Sequence, residues 1–65
     1  MEEIGTIAGK ILDYLVKHGP SDTIQIKFSL SITNSQLYLA LGWLARENKI
    51  SITKDKNIHR ISIKK

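Results

Sequence analysis

Over the first eighteen residues the apolar positions fall three and four apart: Ile4, Ile7, Ala8, Ile11, Leu12 and Leu15. That spacing gathers them on one stripe of an α-helix. Glu2 and Glu3 set negative charge at the positive end of the helix dipole, and Lys17 and His18 set positive charge at the other. Gly19 suits the position just past the last turn, and Pro20 blocks continuation. The pattern predicts a helix over about residues 3–18.

The period then changes. Ile24, Ile26, Phe28, Leu30 and Ile32 alternate with Gln25, Lys27, Ser29 and Ser31, which is the repeat of a strand. As a helix, the same stretch puts Ile26 and Leu30 on one face and Ile24 and Phe28 almost opposite. Pattern alone leaves both open. Thr33, with Gln36 three residues on, forms a T-x-x-Q capping box. From Asn34 onward Leu37, Ala40, Leu41 and Leu44 line one helical face, and Asn48 tolerates the left-handed geometry that ends a helix. Two β-branched runs follow. Ile50 and Ile52 alternate with Ser51 and Thr53, and Ile61 and Ile63 with Ser62 and Lys64, about a turn-like Asp55-Lys56-Asn57. They predict a hairpin over about residues 50–64.

Helix, short segment, capped helix and hairpin, in that order, is the architecture of a winged helix-turn-helix. This α+β fold has three helices followed by a two-stranded β-hairpin wing, here as a single domain over 1–65. Leu30-Ser31-Ile32-Thr33 then fills the turn before the last helix. That favours a short second helix over about 24–29, with tertiary context overriding the alternation. Ile4-Gly5, Ala8-Gly9-Lys10-Ile11 and above all the run Leu37-Tyr38-Leu39-Ala40-Leu41-Gly42-Trp43-Leu44-Ala45-Arg46-Glu47 resemble a family of small bacterial and archaeal winged helix-turn-helix proteins. The resemblance covers nearly the whole chain, and its most specific part is Leu41–Glu47. It implies a fold and no established activity. The chain departs from it at 23–29, where a more polar, lysine-rich helix is expected and Ile24 and Phe28 intervene.

At 65 residues the chain buries only about 60% of its unfolded surface, so its core must be efficient. There is no cysteine, hence no disulfide and no thiolate ligand, and His18 and His59 lack ligand-like spacing. No metal or cofactor is expected. No apolar run approaches the roughly 18 residues that span a bilayer, and Met1-Glu2-Glu3 lacks the basic start of a signal peptide. The expectation is a cytoplasmic protein without membrane contact. The Gly5–Gly9 spacing is expected to permit close backbone packing.

The net charge of +4 is unevenly spread. Residues 1–48 balance Lys10, Lys17, Lys27 and Arg46 against Glu2, Glu3, Asp13, Asp22 and Glu47. Residues 49–65 hold Lys49, Lys54, Lys56, Arg60, Lys64 and Lys65 against Asp55 alone. A basic terminal segment suits a polyanion. Lysines equally keep a hairpin edge soluble and unpaired.

With Leu37, Leu41 and Leu44 turned inward, the outer face of the last helix carries Ser35, Leu39, Gly42, Trp43 and Arg46, flanked by Tyr38. Ser35 and Gln36 can reach base edges, and Arg46, Lys54, Lys56 and Arg60 can reach phosphates. Those six are the candidate residues for duplex DNA. Tyr38, Leu39 and Trp43 suit protein contact, most simply in a homodimer, because aromatic side chains anchor interfaces. The alternative for Trp43 is a place in the core under the wing, and for Tyr38 and Tyr14 a half-buried flank. Nucleic-acid binding leads slightly as a functional class by analogy with the fold, while the helix face itself favours protein. Catalysis fails on inventory. No carboxylate pair beyond Glu2-Glu3, no positioned Ser-His-acid set and no glycine-rich phosphate loop is present, so no catalytic residue and no small-molecule substrate are expected.

Overall fold

The structure, a computed structural model, describes residues 3–64. Helix α1 spans Ile4–His18, a short strand β1 spans Ser21–Asp22, α2 spans Thr23–Leu30, α3 spans Asn34–Arg46, β2 spans Ile50–Asp55 and β3 spans Ile58–Ile63. Glu3 is the N-cap of α1 without a side-chain capping bond; Glu2, expected at the same helix start, lies outside the described residues. At the other end Gly19 adopts φ 77°, ψ −167°, a region that essentially only glycine occupies, and its N–H donates to Leu15 O at 2.8 Å.

The ambiguous stretch is helical. Asp22 and Gln25 form a reciprocal capping box: Gln25 N–H donates to Asp22 Oδ1 at 2.7 Å, and Asp22 N–H donates to Gln25 Oε1 at 3.2 Å. This D-x-x-Q pair starts α2 at Thr23, one residue before the helix that the pattern predicts. The alternating isoleucines do not share a face. Ile26 is fully buried, whereas Ile24 and Phe28 are exposed. Ser31 ends the helix in the left-handed conformation (φ 54°), with Ser31 N–H donating to Phe28 O and Ile32 N–H to Lys27 O. For a residue with a Cβ that conformation costs about 1–2 kcal/mol. Ser31→Gly is therefore expected to stabilise the domain by about 1 kcal/mol, less what glycine adds to the entropy of the unfolded chain. A denaturant midpoint that falls would show that the serine contributes something the backbone does not.

Thr33 and Gln36 cap α3 in the same reciprocal way. Asn48, at φ 62°, ends it as the sequence predicts; Lys49 N–H donates to Leu44 O at 2.9 Å and Asn48 N–H to Ala45 O at 3.0 Å. Lys64 Nζ then donates to Asn48 Oδ1 at 2.7 Å, which ties the end of the hairpin to the end of α3.

The expected hairpin wing is present as β2 and β3, and the sheet is larger than it by one strand. The sheet has three antiparallel strands in the order β1-β3-β2, with Ser21 paired to Ile61 and Asp22 to Arg60. The extra strand is two residues long and shows no alternation to read. Pro20 stops α1 and Asp22 needs extended backbone to act as a cap, so the intervening chain lies flat against β3. The hairpin loop is the two residues Lys56 and Asn57, with Asp55 opposite Ile58 and Lys56 at φ 59°.

Ile7, Ala8, Ile11 and Leu15 of α1, Ile26 of α2, Leu37, Ala40, Leu41 and Leu44 of α3, and Ile50 and Ile61 of the sheet form one core. Every helix and both long strands contribute to it. Gly5 and Gly9 do not serve close packing as expected: both are exposed, and a Cβ added at either would meet nothing within 4 Å among the described residues.

Candidate interaction face

The three leucines of α3 fix what its other side presents. With Leu37, Leu41 and Leu44 buried, Tyr38, Leu39, Gly42 and Trp43 are exposed. Trp43 keeps 51% of its surface in contact with solvent, so the indole is not core beneath the wing. Ile4 at the start of α1, Tyr38, Leu39, Gly42, Trp43 and Arg46 together line one shallow concavity. A second lies between α2 and α3 and is lined by Ile24, Lys27, Phe28, Asn34 and Tyr38, among others. Tyr38 belongs to both. The exposed apolar surface is therefore continuous from Phe28 and Ile24, over Tyr38, to Leu39 and Trp43. Lys27 Nζ sits 5.7 Å from the centre of the Phe28 ring, within range of a cation–π contact.

The residues expected to meet DNA are placed less coherently. Ser35 is exposed on the first turn of α3. Gln36 is half-buried and already engaged, since its Oε1 accepts from Thr33 N–H at 3.0 Å. Arg46 closes one end of the apolar concavity. Lys54, Lys56 and Arg60 are exposed on the hairpin. The register pairs Lys54 with His59 and Thr53 with Arg60, and side chains alternate along a strand. Lys54 therefore shares the face of Ile52 and Ile61, while Arg60 points to the opposite face. Lys56 sits at the tip between them. The wing is basic on both sides, without a single cationic surface.

His18 stacks on Tyr14, with ring centroids 4.4 Å apart, and the Tyr14 hydroxyl accepts from Ser29 Oγ at 3.3 Å. This joins α1 to α2 and accounts for Tyr14 as a half-buried flank residue. His59 is half-buried in β3. Among the described residues no group of three His, Asp or Glu side chains is placed to hold a metal ion, and no helix is long and apolar enough to cross a membrane.

The sequence model of the family described as winged helix-turn-helix domain (DUF2582) matches residues 1–63. The chain belongs to this winged helix-turn-helix family. Among curated proteins and among solved structures, none matches the chain. Family membership agrees with the three helices and the wing, and with the resemblance carried by Leu41–Glu47.

Proposed function

We propose that this winged helix-turn-helix domain is a non-catalytic binding module that docks a protein through the α2–α3 face, a second copy of the chain being the simplest occupant. One observation carries the reading: Ile24, Phe28, Tyr38, Leu39 and Trp43 are each more than half exposed and form a continuous surface. A helix that reads the major groove needs polar and basic side chains along that side. Here Lys27 and Arg46 stand at the margins of an apolar field. Large contiguous apolar patches mark partner sites.

The wing supports a second, compatible activity. Winged helix-turn-helix domains are a DNA-binding type of module, and Lys54, Lys56 and Arg60 are exposed on the hairpin. Contacts of this kind bind phosphates without reading sequence.

Titration with duplex DNA at two salt concentrations tests both readings, because Trp43 is the chain's sole tryptophan and reports on α3 directly. Duplex should leave the indole emission and its accessibility to a soluble quencher unchanged. Any binding seen should weaken with a log–log salt slope no steeper than about −3, which is what three phosphates give. An indole shielded by duplex places α3 in the groove and overturns the protein-docking reading. No retardation at low salt removes the wing activity and leaves that reading standing.

A further inference from the structure

Gly42 sits in the middle of α3, and nothing among the described residues calls for a glycine there. Its backbone is ordinary helix, with no positive φ, and a Cβ added at this position would meet nothing within 4 Å. Glycine in an exposed helix interior nevertheless weakens the helix relative to alanine. The missing side chain leaves a notch at the centre of the apolar concavity, between Tyr38 and Leu39 on one side and Trp43 and Arg46 on the other. Tyr38, Gly42 and Arg46 are spaced four apart. They form one row along the helix, with steps of about 6 Å.

That row is self-complementary when reversed. Two such helices crossing antiparallel at Gly42 set Arg46 of each over the partner's Tyr38, a cation on an aromatic face, repeated twice by the twofold axis. A parallel crossing stacks Arg46 on Arg46, with like charges together. Rows of residues four apart interdigitate in the commonest class of helix packing. The area also suits. At about 200 Å² for a whole aromatic side chain, the exposed parts of Ile24, Phe28, Tyr38, Leu39 and Trp43 amount to roughly 600 Å² per copy. Covered completely, these side chains of two copies would remove about 1,200 Å² from solvent, which reaches the lower bound of a specific stable interface.

We infer that the occupant of the α2–α3 face is a second copy of the chain, docked with the two α3 helices antiparallel and crossing at Gly42, so that each Arg46 lies over the partner's Tyr38. This rests on the protein-docking reading and adds the partner's orientation.

The chain has no cysteine, so single introduced cysteines report the geometry cleanly. At a helix crossing with axes about 10 Å apart, the two facing Cα atoms of position 42, each about 2.3 Å off its axis, lie about 5 Å apart, within the range that a disulfide spans. Position 35 lies about 10 Å along the axis from the crossing, so its two copies end about 20 Å apart. The wild type should sediment as a dimer. Gly42→Cys should oxidise to a covalent dimer, and Ser35→Cys should remain reduced under the same conditions. Circular dichroism confirms that both variants fold, and the open space at position 42 makes that the expected result. Tyr38→Phe should leave the dimer intact, whereas Tyr38→Leu should weaken it about tenfold. A wild-type dimer that Trp43→Ala dissociates, but in which Ser35→Cys cross-links and Gly42→Cys does not, overturns the crossing geometry and keeps the face. A wild type that stays monomeric up to about 1 mM, the weak end of association, overturns the second copy as occupant.

Discussion

Ile26→Ala is expected to unfold most of the population, whereas Phe28→Ala, two residues along the same short helix, should leave the folding transition nearly where it is. The contrast runs against side-chain size and follows burial. Ile26 has none of its surface exposed and packs inside a core shared by all three helices and both long strands. Deleting three of its carbons loses their transfer free energy and leaves a cavity, together about 2–5 kcal/mol. A domain this small has a total stability of about 5 kcal/mol, so the loss takes most or all of it. Phe28 is 73% exposed. Truncating it removes a surface cation–π contact with Lys27 and little burial, and such substitutions stay within about 0.5 kcal/mol. Urea titrations of the two variants, at concentrations low enough to dissociate the wild type so that only the monomer's fold is read, decide the matter. Equal midpoints would show that α2 does not present Ile26 inward, and would return residues 24–32 to the strand that their alternation suggests.

That segment shows where the sequence was legible and where it was not. α1 and α3 each repeat their apolar residues at helical spacing over two turns or more, and each ends on a residue chosen for positive φ, Gly19 and Asn48. Period and punctuation agree there, so elements and core could be read directly. α2 has only eight residues, too few for a period to be distinct, and one fully buried isoleucine serves as its anchor. Its alternation is a by-product of two exposed residues, Ile24 and Phe28, that face away from the core. The better signal was local chemistry: Asp22 followed by Gln25 is as clear a helix start as Thr33 followed by Gln36. β1 had no comparable signal, because two residues carry no pattern and their pairing depends on where β3 arrives.

The interaction face was partly legible for the same reason. Three inward leucines on α3 dictate that Trp43 and Leu39 face out, and that follows from helical geometry alone. The continuity of that surface with Ile24 and Phe28 depends on how α2 crosses α3, which no local pattern encodes. Sequence proximity also grouped Lys54 with Arg60. Their separation onto opposite faces depends on the register set by a two-residue loop, and a shift of one residue would have reversed it.

Trp43→Ala should weaken self-association by about 30-fold or more while leaving the monomer's fold in place. A tryptophan at the centre of an interface typically contributes about 2 kcal/mol or more, and 1.4 kcal/mol is a tenfold change in the dissociation constant. Within the subunit the indole is only half-buried, so truncating it forfeits part of a large side chain's burial. Alanine's better helix propensity at an interior position of α3 returns about 0.5 kcal/mol. The two effects are separable because they respond differently to concentration. Sedimentation across a dilution series reads the association constant. Thermal unfolding at concentrations low enough to dissociate the wild type reads the monomer alone, and there the two proteins should melt within a few degrees of each other. The opposite outcome, a large loss of monomer stability with association unchanged, would mean that the indole serves its own subunit. The apolar surface between Tyr38 and Ile4 would then be the outer skin of the core, and the protein-docking reading would fail at its central residue. Leu39 offers the corresponding check from one turn away. It is exposed on the same concavity, so Leu39→Glu should abolish association by placing a charge in the contact, at little cost to a side chain that already faces water.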